Sequence, residues 1–212
     1  MKTVLLTGFE PFGGETLNPS LEIARQLNGH VIARHRVIGR ILPCVFGAAN
    51  AELRRLLQEF KPAVVIAVGQ AGGRAEITPE RVAINVEDAR IADNAGAQPV
   101  DRPVVARGPA AYWSTLPVKA IVATLRAHEI PAAVSQTAGT FVCNHVFYGL
   151  MHTLCARRGV RGGFIHVPFL PEQAKRGQPS LSQEMMIEAI ALAVAVSVTT
   201  RRDLQVAGGQ TD

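Results

Sequence analysis

Apolar positions along the chain fall into two alternating rhythms. Continuous apolar runs without polar alternation mark buried strands at residues 3–7, 63–69 and 163–169. Shorter strand material lies at 31–37, 41–45, 82–86 and 132–135. Between these runs the period lengthens to that of a helix. Leu53, Leu56, Leu57 and Phe60 share one face of a helix over 48–60. Ser20 stands as the cap of a helix over 21–27, which Asn28-Gly29 stops. Ser114 or Thr115 caps a helix over 118–128, and a closing helix runs over 182–201. Residues 203–212 read as a frayed tail, and residues 92–109 as a long polar loop of the kind that often carries function.

Strands that alternate with helices predict a single-domain, three-layer α/β/α sandwich over residues 1–212, around a mostly parallel twisted sheet. Ligands in such sheets collect at the carboxyl ends of strands. The unusual stretches all lie there: 8–20, 69–74, 136–143 and 166–170.

Composition narrows the setting. Hydrophobic residues make up 48% of the 212 and charged residues 18%, enough for a substantial core. Cys44, Cys143 and Cys155 cannot all pair, which fits free thiols in a reducing compartment. The first residues read as a strand rather than a signal segment, and the longest apolar run, 189–198, is too short to span a bilayer. The cytoplasm is the expected location. With 22 basic and 17 acidic residues the net charge is +5, but the cations are scattered. The densest group, Arg157, Arg158 and Arg161, sits at a predicted helix C-terminus, and no aromatic interleaving points to nucleic acid.

Phosphate and metal chemistry fail on residue type. Gly8 and Gly13 have P-loop separation, but Gly14 and Glu15 stand where Lys and Ser/Thr are required. Gly69-Gln70-Ala71-Gly72-Gly73 is not a dinucleotide fingerprint. Cys143 and His145 point apart on a helix, and His152 with Cys155 supplies only two ligands. His145 reads as a packed or capping residue. No metal and no cofactor are expected.

What remains is the stretch 137–152, Thr-Ala-Gly-Thr-Phe-Val-Cys-Asn-His-Val-Phe-Tyr-Gly-Leu-Met-His, where a loop turns into a helix that runs to Arg158 with Val146, Leu150 and Leu154 on one face. Cys143 stands at that start. Unpaired N–H groups and the positive end of the dipole favour its thiolate, the nucleophilic form. Cys44 and Cys155 read as small buried hydrophobes. His166, ending its own strand, is the natural base. An acid must orient the imidazole, and the residues alone leave Glu80, Asp88, Asp93 and Asp101 as equals.

Five blocks then carry a resemblance. Residues 5–14 (Leu-Leu-Thr-Gly-Phe-Glu-Pro-Phe-Gly-Gly) with Asn18-Pro19-Ser20, then 69–74, 79–85, 139–144 and 166–171 resemble, in order, the pyroglutamyl peptidase I (pyrrolidone-carboxylate peptidase) family. They span nearly the whole chain. The resemblance implies a cysteine peptidase with Cys143 as nucleophile, His166 as general base and acid, and Glu80 as the orienting carboxylate. The oxyanion is expected at the Cys143 backbone N–H, and the resemblance adds the Arg90 side chain. It places Phe9, Phe12, Phe141 and Val142 as walls of a lactam pocket. Asn18 and Gln70 are polar loop residues that contact the lactam or brace the first loop. The implied reaction removes an N-terminal pyroglutamyl residue from small peptides through a thioester, without metal or cofactor. The implied setting is a cytoplasmic homo-oligomer, commonly a tetramer in bacteria. An inactive binding protein and an esterase or amidase with the same triad are the competing readings.

Overall fold

The computed structural model describes residues 1–157 and 159–208. Four parallel strands form its centre: β1 (Lys2–Phe9), β3 (His35–Leu42), β4 (Val64–Gln70) and β8 (Arg161–Val167). The rims are antiparallel, with β2 (Val31–Ile32) beyond β3 and β5 (Thr78–Pro79) beyond β8, so the order is β2-β3-β1-β4-β8-β5. A separate ribbon pairs β6 (Val82–Ile84) with β7 (Ala111–Trp113).

Period-two alternation sorts the central strands between two cores. Val4, Leu6, Ile66, Val68, Ile165 and Val167 pack with α1 (Pro19–Gln26), α3 (Val118–Ala127) and α5 (Gln183–Thr199). Leu5, Val65, Ala67 and Phe164 pack on the opposite face with α2 (Ala48–Phe60) and α4 (Val142–Cys155). These are the three layers that the alternating pattern predicts. Gly8 lets α1 lie directly on β1: a Cβ there would stand 2.0 Å from the Ser20 carbonyl oxygen. Among the described residues no helix is long and apolar enough to cross a membrane.

The local departures have physical reasons. Asn18, not Ser20, caps α1: its side chain accepts the Ser20 N–H, and Pro19 takes the first helical position. The Ser20 hydroxyl instead accepts the Phe9 N–H at 3.0 Å, tying loop to helix. The strand expected over 31–37 is broken by a turn at Ala33-Arg34, both with positive φ. Neither residue type advertises that turn. Helix α3 has no local cap. Its Lys119 and Ala120 N–H groups donate to the Asp203 carboxylate at 3.1 and 2.9 Å, so the expected fraying tail is anchored at its first residue. The rest of that expectation, residues 209–212, and the expected helix end at 158 lie outside the described residues. Residues 132–135 make only isolated bridges, Ala132 to Ile77 and Ser135 to Glu80. The 92–109 segment is strapped down. Asn94 donates to Glu10 Oε1 and to the Pro11 carbonyl at 2.9 Å, and Asn85 exchanges two bonds with Val105.

Candidate active site

His166 and Phe164 are two apart on β8, so both face α2 and α4 rather than the opposite core. Gly69 of β4 pairs with His166 in the parallel register. It has no side chain because the sulfur of Cys143 occupies that space: a Cβ on Gly69 would stand 2.9 Å from Cys143 Sγ and 2.7 Å from Phe164 Cζ. Cys143 is the second residue of α4, where the backbone N–H groups have no acceptor within the helix. Strand end and helix start thus bring thiol and imidazole together.

Strand β5 supplies the carboxylate. Thr78 pairs with His166 across the antiparallel ladder, and the Glu80 N–H continues onto the Phe164 carbonyl at 2.9 Å. The Glu80 side chain, 0% exposed, meets His166 Nδ1 through Oε1 at 2.7 Å. None of the other three acids is bonded to His166 among the described residues. Asp93 accepts the backbone N–H groups of Phe46, Ala95 and Ala97. Asp101 is exposed. Asp88 lines the cleft, its backbone tied to Thr140.

With Nδ1 committed to Glu80, Nε2 is the imidazole nitrogen available on the cleft side. Burial, the largest influence on His166, pushes its pKa below the ordinary 6.5; the Glu80 hydrogen bond and charge pull upward, and Arg74 pushes down. Burial also dominates Cys143. It holds the thiol well above its ordinary value, reinforced by Cys44 and Glu80 and opposed by Arg74 and a backbone hydrogen bond. Desolvation thus opposes the pull of the helix start on the sulfur, and both shifts favour the neutral thiol–imidazole pair over the charged one. A depressed imidazole pKa leaves the base unprotonated as pH falls through 6.5. The acid limb of kcat/KM is therefore expected below pH 6.5, as a pH profile on the free enzyme will read. A limb at or above that value contradicts the neutral pair.

The thiol opens onto a cleft of about 670 Å³ that Phe12, Gln70, Arg74, Arg90, Phe141 and His166 help to line. This is the size of a small-ligand site. Phe12 and Phe141 lie 5.8 Å apart, and Phe46 braces Phe141 edge-on at 5.5 Å. Two residues expected as walls, Phe9 and Val142, are buried behind the cleft surface, and Asn18 takes the bracing role of its two alternatives. Phe9 shares the Leu5 face of β1 and packs 6.2 Å from the Phe164 ring. Val142 opens α4 fully buried. Asn18 braces the first loop, donating to the Glu10 carbonyl at 3.1 Å.

Several supports of the site are not among the residues that the sequence singles out. Arg74 reaches Glu80. Asn144 clamps the start of α4 to the β6 segment, accepting the Ile84 N–H at 3.0 Å and donating to the Ile84 and Val86 carbonyls at 2.9 Å. Its position directly after the thiol was the available signal. His145 packs as expected: Nδ1 meets Glu87 at 2.6 Å, and Nε2 accepts the N–H of Gly47, the α2 cap. His152 pairs with the Tyr112 hydroxyl. Cys44 is buried, its thiol pushed up to about 12 by desolvation first and then by Glu10 and Asp93. Cys155, expected to be buried, is exposed near the end of α4.

A family model described as pyroglutamyl peptidase matches residues 2–200. The pyrrolidone-carboxylate peptidase of Cupriavidus pinatubonensis is 63% identical over 214 residues, covering 99% of each chain. That of Chromobacterium violaceum is 64% identical, again over 99% of each. The crystal structure of pyroglutamyl peptidase I from Bacillus amyloliquefaciens superposes with a TM-score of 0.95 at 48% identity, covering 97% of this chain and 99% of that one. Pyrrolidone carboxyl peptidase from Thermococcus litoralis gives 0.94 at 43%, covering 98% and 100%.

Proposed function

The chain belongs to the pyroglutamyl peptidase family, and on that premise we propose that Cys143, His166 and Glu80 carry out the removal of N-terminal pyroglutamate from small peptides. The observation that carries this assignment is the Cys143 sulfur over Gly69, beside His166 in register, with Glu80 at 2.7 Å from Nδ1.

In this reading His166 Nε2 takes the thiol proton as sulfur attacks the carbonyl joining pyroglutamate to the next residue. The oxyanion forms beside the Cys143 N–H, with Arg90 on the cleft wall as a second donor. The C–N bond breaks, His166 returns the proton to the leaving amine, and a thioester remains on Cys143. Water, deprotonated by His166, attacks the thioester, the C–S bond breaks and the thiol is restored. Glu80 holds the Nδ1–H tautomer and balances the transient imidazolium. Phe12 and Phe141 supply flat apolar walls for a neutral lactam, and Gln70 offers an amide to its N–H or C=O.

We take residues 1–212 as one catalytic domain. The resemblance supports a cytoplasmic homo-oligomer, commonly a tetramer. The half-buried Ile187, Leu192 and Val198 of the apolar helix α5 support self-association, which light scattering reads directly.

The decisive assay releases a fluorophore from pyroglutamyl-aminocoumarin, with prolyl-aminocoumarin as control. Proline lacks the ring carbonyl and bears a charge that apolar walls do not accommodate. Cleavage of the first alone is expected, blocked by a thiol reagent and protected by a pyroglutamyl analogue. Cleavage of both at similar rates overturns the pocket assignment. Because Cys155 is exposed, the protected thiol must be identified by peptide mapping.

A further inference from the structure

Arg74 joins the two halves of the site. It lies between β4 and β5, and its side chain, 28% exposed, lines the cleft. Nη1 donates to Glu80 Oε1 at 2.7 Å and to Thr78 Oγ1 at 2.6 Å, while Nη2 donates to the Thr137 carbonyl at 2.8 Å. Thr78 is the ladder partner of His166. Thr137 opens the loop that feeds α4 and Cys143. One rigid guanidinium fork therefore touches the base side and the nucleophile side together.

Glu80 needs such a partner. A buried carboxylate is costly unless paired, and Glu80 Oε2 meets no hydrogen-bond donor among the described residues. The whole charge is compensated through Oε1, which accepts from both His166 and Arg74. Without Arg74, His166 would be the cation left to neutralise Glu80, and a protonated imidazole cannot act as a base.

We propose that Arg74 is a positioning residue of the peptidase reaction. By clamping Glu80 and the Thr137 carbonyl, it sets imidazole and thiol in reacting register and keeps His166 in its basic form. The proposal rests on the triad reading above. The charged and titratable groups facing His166 are Arg74 from the β4–β5 connection, Glu80 directly after β5 and Cys143 from α4. Glu15, Asp88 and Arg90 line the same cleft.

Arg74→Gln and Arg74→Lys test it in the full chain, with the His166 titration followed by NMR beside the kinetics. Arg74→Gln is expected to raise the His166 midpoint, because the nearby cation that lowers it is gone. It should lower kcat about 10²-fold with KM changed less than about threefold. Arg74→Lys should return the midpoint toward the parent, because the charge is back, but recover only part of kcat, because an ammonium cannot fork. A merely structural arginine would lower the folded fraction without moving the midpoint. An unmoved midpoint, or kcat within threefold of the parent, overturns the proposal. If Arg74→Gln does not fold, Arg74→Lys decides through kcat, and a parental value overturns it. The midpoint comparison needs no turnover, so it decides Arg74 even if the parent cleaves no pyroglutamyl substrate.

Discussion

Cys143→Ser is expected to lower turnover of pyroglutamyl-aminocoumarin at least about 10³-fold, roughly 4 kcal/mol of transition-state stabilisation. The half-buried sulfur sits over Gly69, and desolvation holds its pKa up, so the reaction depends on handing its proton to His166 during attack. A serine hydroxyl in the same place is far less acidic and a poorer nucleophile. His166, whose basicity burial has already lowered, is a weak base for it. The architecture should persist. Cys143 holds α4 through its backbone, and the clamp on that turn is Asn144. Ligand affinity for a pyroglutamyl analogue should stay within a few-fold, and the melting temperature should change little. Turnover above a tenth of the parent would exclude Cys143 as the nucleophile.

The resting state shapes reagent chemistry as well as catalysis. A preformed thiolate–imidazolium pair would alkylate rapidly even in mild acid. A half-buried thiol whose ionisation desolvation opposes, beside an imidazole of lowered basicity, gains reactivity toward small neutral reagents as pH rises. Cys44, deeper still and held up to about 12, stays silent throughout. The first of the two sites to modify is therefore the exposed Cys155, not the catalytic sulfur.

How much of this was legible depended on the range of the interaction. Strands β4 and β8 and helix α2 were plain because their signals are local runs and a local period. Cys143 at a helix start and His166 near a strand end were legible for the same reason. Glu80 was not separable from Asp88, Asp93 and Asp101 by residue type. Its role depends on a two-residue strand pairing antiparallel with β8, a contact between positions 80 and 166. The Asp203 cap on α3 spans a similar distance and left no local trace. Phe9 illustrates an avoidable miss. Period-two alternation from Leu5 already turns it toward the α2–α4 core, and the family resemblance alone placed it on the pocket wall. A helix start favours a thiolate locally, but the desolvation that opposes it comes from Gly69, Phe164 and the cleft wall, which are tertiary neighbours.

Glu80→Gln should be nearly as damaging as loss of the sulfur, lowering kcat about 10²–10⁴-fold, or roughly 3–5 kcal/mol. The amide has two placements and both fail. With its oxygen where Oε1 stands, it still accepts from His166 and Arg74. The NH₂ group then takes the Oε2 position, which has no hydrogen-bond partner among the described residues, and strands a buried donor. The imidazolium formed during proton transfer would also face Arg74 with no compensating anion. With the amide turned over, its NH₂ opposes the Arg74 guanidinium and donates to Nδ1, which moves the His166 proton to Nε2 and removes the base. The sign of the accompanying titration separates this carboxylate from its arginine. Glu80 raises the His166 pKa, so Glu80→Gln should drive the midpoint further below the ordinary imidazole range, whereas Arg74→Gln should raise it. Opposite shifts with a common loss of kcat identify an orienting acid held by a cationic clamp. An upward shift in Glu80→Gln, or kcat within tenfold of the parent, would remove Glu80 from the mechanism.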